Sequence, residues 1–98
     1  MRIQITEEAE SDLADGFWFY ESQAPDLGAY FRSCLISDID SLAFYAGTHE
    51  TVFNFHRALS KRFPYAIYYE VKNQTAIVIA VLDCRRRPSW IRKHLDGR

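Results

Sequence analysis

Phe63-Pro-Tyr-Ala-Ile-Tyr-Tyr-Glu-Val71, Lys72-Asn-Gln74 and Thr75-Ala-Ile-Val-Ile-Ala-Val-Leu-Asp-Cys-Arg-Arg-Arg87 decide the fold. In the first segment Phe63, Tyr65, Ile67, Tyr69 and Val71 share one face of a strand, and Ala66, Tyr68 and Glu70 the other. Residues 76–82 are apolar without a break and β-branched at Ile77, Val78, Ile79 and Val81. Such a strand has little water on either face, so it is expected as the central strand of an antiparallel sheet with a layer packed over it. Lys72-Asn73-Gln74 lacks the Asn-Gly pair of a tight hairpin, which predicts a slightly longer loop. The arginines and Pro88 then end the sheet.

Upstream, Met1–Ile5 alternates, with Ile3 and Ile5 on one side of a short strand. Thr6 is an N-cap residue ahead of Glu7, Glu8 and Glu10, which place negative charge at the positive end of a helix. Ala9, Leu13, Phe17, Tyr20 and Ala24 recur at helical spacing as far as Pro25. Asp26 is placed to cap a second helix, whose apolar stripe is Leu27, Phe31, Leu35, Ile39 and Leu42, with Gly47 as its stop. Residues 48–54 read as an irregular loop and Phe55–Leu59 as another strand. Ser89–Leu95 reads as a last helical turn, with Trp90, Ile91 and Leu95 pointing inward. The order β-α-α-β-β-β predicts a single α+β domain over residues 1–98, in two layers: an antiparallel sheet with a helical hairpin packed on one face.

At 98 residues and 48% hydrophobic composition, the chain can bury one core without staples. No apolar run approaches the ~18 residues of a membrane span, and no basic-then-apolar leader opens the sequence, so a cytoplasmic protein without membrane contact is expected. Cys34 and Cys84 are isolated and have no His at ligand spacing, which predicts reduced thiols, no metal site and no cofactor. The net charge of −1 conceals a division. Residues 1–55 carry Arg2 and Arg32 against ten acids, whereas residues 56–98 carry ten Arg and Lys against Glu70, Asp83 and Asp96. Two readings follow: charge pairing between layers, or a basic sheet end that attracts an acidic partner or a phosphate backbone.

The chemistry-bearing residues are sparse. His49, His56 and His94 are scattered, Asp38 and Asp40 point to different sides of a helix, and no phosphate loop or nucleophile elbow is present. What stands out is a basic set: Arg57, Lys61, Arg62, Arg85, Arg86, Arg87, Arg92 and Lys93. Guanidinium groups fork onto phosphates and carboxylates and stabilise charge developing on a phosphodiester. A solubilising strand end is the plainer reading of the same residues.

The element order, the strand Phe63-Pro64-Tyr65-x-Ile67-x-Tyr69 and the run Arg85-Arg86-x-Pro88-x-Trp90 together resemble the RelE/ParE toxin superfamily, the toxins of type II toxin–antitoxin pairs, also called plasmid stabilisation proteins. The resemblance covers essentially the whole chain. It implies a cognate antitoxin whose tail wraps the toxin's sheet and helices. It also implies one of two activities: RelE-like toxins cleave messenger RNA on the ribosome without a metal, and ParE-like toxins act on DNA gyrase.

By that resemblance, Arg85 matches the arginine after the last strand, but Ala66 stands where the nuclease branch has a second arginine. Trp90 and Ile91 fall near its proton-transferring Tyr. A nuclease would then rest on Lys61, Arg62, Arg85, Arg87 and His94. The departures favour the ParE-like branch and a protein that is not an enzyme, with Arg57, Lys61, Arg62, Arg85, Arg86, Arg87, Trp90, Arg92 and Lys93 contacting target or partner. A third reading, a basic RNA-binding domain, needs an exposed aromatic for base stacking, and Tyr68 is its candidate.

Overall fold

The computed structural model describes residues 1–98. Its elements are β1 (Arg2–Ile5), α1 (Glu7–Glu21), α2 (Leu27–Asp40), α3 (Leu42–Tyr45), β2 (Thr51–Val52), β3 (Phe55–Leu59), β4 (Tyr65–Lys72), β5 (Thr75–Asp83) and α4 (Pro88–Leu95). The α+β architecture and the helical hairpin over a sheet are as expected, and the strands run in the order β1-β5-β4-β3-β2. The middle strand is therefore β4 rather than β5, although both are internal. The cause is β2, an added edge strand beyond β3; β1 flanks β5 on its other side and pairs with it in parallel, from Arg2 opposite Thr75 to Ile5 opposite Val78. The other pairings are antiparallel, so the sheet is mixed.

The β4–β5 turn is tighter than its sequence predicts. Lys72 pairs with Thr75, which leaves Asn73 and Gln74 as a two-residue turn with φ of 51° and 58°. This is the backbone twist that suits paired strands. Asn tolerates it, and the cost of a left-handed Gln, about 1–2 kcal/mol, is offset by the long ladder that the turn closes. Phe53 and Asn54 repeat the geometry, with φ of 52° and 73° between the paired residues Val52 and Phe55. The segment 48–54, expected as irregular loop, thus contains a second tight hairpin.

The unbroken apolar run of β5 has a specific use. Tyr68 pairs with Ala80 but Tyr69 with Val78, so Ile79 is the extra residue of a bulge, and the strand changes phase there. Ala76, Val78 and Val81 face α1 and α2 together with Tyr65, Ile67 and Tyr69. Ala80 and Leu82 face the other side with Ala66 and Tyr68. A strictly alternating strand would have turned polar residues inward beyond the bulge.

Both faces of the central strands are covered. Ala9, Leu13 and Tyr20 of α1 and Phe31, Leu35 and Ile39 of α2 form one core with the sheet. Ile91 and Leu95 of α4 close the other against Ala66, Tyr68, Ala80 and Leu82. The final segment is thus an eight-residue helix and not a single turn; Trp90 lies at its margin, half-buried. Tyr68 is 1% exposed. No base can stack on it, and the RNA-binding reading loses its platform.

The helix boundaries shift for local reasons. α1 ends at Glu21, before Ala24. Asp26, expected to cap α2, has φ 68° and makes no capping bond. The Glu21 carboxylate does this instead, accepting from the backbone N–H of Asp26 at 3.1 Å and of Gly28 at 2.9 Å. The second helix breaks at Ser41, whose hydroxyl donates to the Asp38 carbonyl at 2.6 Å; Leu42 remains buried beyond the break.

Tyr69 pins the segment after α3. Its hydroxyl accepts the Gly47 N–H at 2.9 Å, so its own proton is free for His49 Nδ1. The His56 ring stacks on Tyr69 at 5.1 Å, and its Nδ1 bonds the His49 carbonyl at 2.9 Å. Burial first, and the nearby His56 second, hold the His49 pKa below the ordinary histidine value. The unfolded chain therefore takes up this proton first. The stabilisation is complete above the ordinary value of about 6.5 and is lost as pH falls from there through the lower folded value. Urea midpoints measured between pH 8 and 5.5 should decline for the native protein and flatten for His49→Gln; parallel curves would remove His49 from the effect.

Candidate partner- and target-binding surface

The sheet brings most of the basic set to one end. Leu59 of β3 pairs with Ala66, and Tyr65 of β4 pairs with Asp83 of β5. The Cys84 N–H donates to the Pro64 carbonyl at 2.9 Å. The 60–64 loop and the segment 84–87 therefore leave the sheet side by side, and with them Lys61, Arg62, Arg85, Arg86 and Arg87. Arg92 and Lys93 follow on α4, in the turn where positive charge suits the helix dipole. Arg57 lies further back on β3, paired with Glu50.

These cations are not equivalent. Arg85 is forked onto Asp83, with Nε 3.0 Å from one oxygen, Nη2 2.8 Å from the other, and its backbone N–H 2.9 Å from the first. That pairing holds the Asp83 carboxyl below its usual range and the Arg85 guanidinium above its own. The Arg86 guanidinium lies 4.6 Å from the centre of the Trp90 ring, where the ring's electron-rich face attracts it. Lys61, Arg62, Arg87, Arg92 and Lys93 take part in no ion pair. The free positive charge thus sits on the 60–64 loop, at Arg87 and along α4, and not on Arg85.

One histidine stands near this end, and its ring is engaged with Trp90. The His94 ring stacks on Trp90 at 3.7 Å, and its Nδ1 is 2.9 Å from the Trp90 carbonyl. His56 stacks on Tyr69 and lies three residues back from Leu59, roughly 10 Å along the strand. Burial pushes the Tyr65 hydroxyl up to about 12, with Tyr20 and Asp83 adding to the shift, so it keeps its proton at neutral pH. Ala66 is fully buried beneath α4, and a longer side chain there would displace Ile91 or Leu95. Of the sequence-derived nuclease set Lys61, Arg62, Arg85, Arg87 and His94, the cations gather at the sheet end with Arg85 tied to Asp83, and His94 stands beside them on α4, stacked on Trp90. No group of three His, Cys, Asp or Glu side chains could hold a metal ion, and no helix is long and apolar enough to cross a membrane.

A second feature escaped the reading of the sequence. Trp18 is 67% exposed, Tyr45 60% and Phe44 86%, and together with Phe19 and Tyr30 they give the helical side an aromatic surface. The signal was present in Phe17-Trp18-Phe19-Tyr20: four consecutive aromatics on a helix are about 100° apart and cannot all face one core. Between α1 and α4 lies an open cleft of about 250 Å³, lined by Asp12, Asp15, Phe19, Tyr65, Arg86 and Trp90 among others.

The profile described as "ParE toxin of type II toxin-antitoxin system, parDE" matches residues 3–88. The chain belongs to the ParE toxin family. Among solved structures, a chain of the chromosomal ParDE toxin–antitoxin system from P. aeruginosa superposes with a TM-score of 0.74 at 16% identity, over 83% of this chain and 92% of that one. That similarity concerns the fold. No curated protein matches. The matched residues of this ParE-family chain stop at Pro88, so the body of α4, with Trp90, Arg92, Lys93 and His94, lies beyond them.

Proposed function

We propose that this chain is a bacterial, cytoplasmic ParE toxin that arrests growth by binding DNA gyrase and is neutralised by a cognate antitoxin. Family membership supports the toxin role. The observation favouring a binding mechanism over RNA cleavage is the basic end of the sheet, where the one histidine beside the cations is stacked on Trp90. Cleavage through a 2′-hydroxyl needs a base for that hydroxyl and a proton for the leaving oxygen. Arginine stays protonated at neutral pH and supplies no base, His94 is stacked and bonded to Trp90, and Arg85 is tied to Asp83. The target surface in this reading is the free charge of Arg87, Arg92 and Lys93 on and beside α4, with the Arg86–Trp90 stack as its centre. The antitoxin covers the basic end, drawn there by charge of opposite sign, and the aromatic helical side, where it buries apolar surface.

Induced expression of the native chain should stop growth, and co-expression of the neighbouring antitoxin should restore it. The purified toxin should inhibit gyrase supercoiling, and Arg87→Glu/Arg92→Glu should weaken inhibition by at least about tenfold, the loss expected when paired charges become repulsive. Ribosome-dependent cuts in messenger RNA that vanish in His94→Ala would instead assign the RelE-like activity.

A further inference from the structure

We infer that the cleft between α2 and the 60–64 loop is a phosphate-binding site. This cleft, about 310 Å³, is lined by Ser33, Cys34, Ser37, Asp38, Lys61 and Arg62. It lies apart from the Arg86–Trp90 stack, and the inference does not depend on the choice of cellular target.

Three observations carry it. First, its donors are unspent. The basic residues Arg57, Arg85 and Arg98 are held by Glu50, Asp83 and Asp12, and Arg86 lies on Trp90, but Lys61 and Arg62 have no acidic partner. The hydroxyls of Ser22, Ser41 and Ser60 are taken up inside the protein; those of Ser33 and Ser37 are not. Second, the donors face one space. Ser33 and Ser37 are one helical turn apart on α2 and so share a face, and that face fronts the two cations across the cleft. A tetrahedral oxyanion can take hydroxyl donors from one wall and ammonium and guanidinium donors from the other.

Third, the loop is fixed in place before any ligand arrives. Asp38 is 9% exposed, and one of its oxygens accepts the Ser60 hydroxyl at 2.6 Å and the Lys61 N–H at 3.3 Å. The only carboxylate in the cleft is thereby engaged in holding the loop, which lowers the ordering cost of binding. The unpaired surface charge elsewhere on the molecule lacks this combination: Arg87, Arg92 and Lys93 carry charge without hydroxyl partners in a shared cleft.

The test is a titration of isotope-labelled native protein with inorganic phosphate, and separately with a thymidine dinucleotide bearing one phosphodiester, at constant ionic strength maintained with chloride. Amide signals of Ser33, Ser37, Lys61 and Arg62 should shift saturably with at least one of the two ligands. Lys61→Ala/Arg62→Ala should weaken binding by at least about tenfold, and Ser33→Ala/Ser37→Ala by about three- to tenfold, since charged hydrogen bonds outweigh neutral ones. Arg92→Ala/Lys93→Ala, which removes the same charge elsewhere, should leave the constant within about twofold, because screening attenuates distant charges. Tighter binding of the dinucleotide assigns the phosphate to a nucleic-acid backbone; tighter binding of inorganic phosphate assigns it to a free or terminal phosphate. Shifts that stay linear with both ligands, or an equal loss in the Arg92/Lys93 variant, would overturn the site.

Discussion

Phe31→Ala is expected to lower the unfolding free energy by about 4 kcal/mol, the loss typical of a fully enclosed aromatic ring. Phe31 has no exposed surface and is the hub of the aromatic core. Its ring stacks on Tyr20 at 5.1 Å and meets Phe63 at 5.1 Å and Tyr65 at 4.8 Å edge to face. α1 approaches this ring at Gly16, where a Cβ would lie 2.5 and 2.6 Å from Phe31 Cζ and Cε2. The absent side chain is therefore the space into which Phe31 packs, which explains why a glycine interrupts the helix. Gly16→Ala gains about 1 kcal/mol of helix propensity but overfills a ring held on three other sides, for a net cost of about 1–2 kcal/mol. Gly16→Ala combined with Phe31→Leu should cost less than the two single changes added together, because the smaller side chain leaves room for the methyl group. Urea unfolding with an unchanged slope is the measurement. A loss below about 1.5 kcal/mol for Phe31→Ala would fall outside the range for a buried Phe and remove this ring from the centre of the core.

What the sequence made legible was periodicity, and what it hid was geometry without a residue signature. The period-two pattern of residues 63–71 placed Tyr65, Ile67 and Tyr69 on the helix-facing core correctly, and the helical stripe placed Phe31, Leu35 and Ile39 there too. The turns at Phe53-Asn54 and Asn73-Gln74 carry no glycine, so their left-handed residues gave no cue, and pairing of the flanking strands imposes the conformation. The phase change at Ile79 was invisible because an all-apolar strand reads the same in either register. β1 could be recognised as a strand, but its parallel partner is set by where two helices return the chain, and no local pattern encodes that. Among the candidate site residues, sequence identified the cations but not their partners. Arg85 and Asp83 are two positions apart, and their forked pairing depends on the backbone bending directly after β5. The same bend lets Pro88 open α4, which turned a predicted helical turn into a second covering layer and buried Tyr68.

Asp12→Ala is expected to cost about 3 kcal/mol, near the upper end for stranding a buried hydrogen-bonding group. β1 stops pairing with β5 at Val78, so beyond that point the edge of β5 that faces away from β4 has no strand beside it. Asp12 and Arg98 take the strand's place. The Val81 N–H donates to Asp12 Oδ2 at 3.0 Å. The Arg98 guanidinium bonds both oxygens of the same carboxylate, at 2.6 and 3.2 Å, and reaches the Ile79 carbonyl at 3.4 Å. The Asp12 and Arg98 side chains are 10% and 16% exposed, so water replaces these partners poorly. Removing the carboxylate strands a buried N–H, at about 1–3 kcal/mol, and leaves a guanidinium whose nearest remaining acceptor is one carbonyl. Arg98→Ala should cost less, about 1–2 kcal/mol, because Asp12 keeps its bond to Val81. The double variant should then be no worse than Asp12→Ala alone, a coupling that separates a specific pair from two independent losses. Because Arg98 follows α4 directly, the same change should loosen that helix from the sheet. Amide exchange should accelerate at Val81 and through Ile91–Leu95, ahead of the β4 amides. Unaltered exchange at Val81 in Asp12→Ala would show that the bare edge of β5 is protected by something other than this pair.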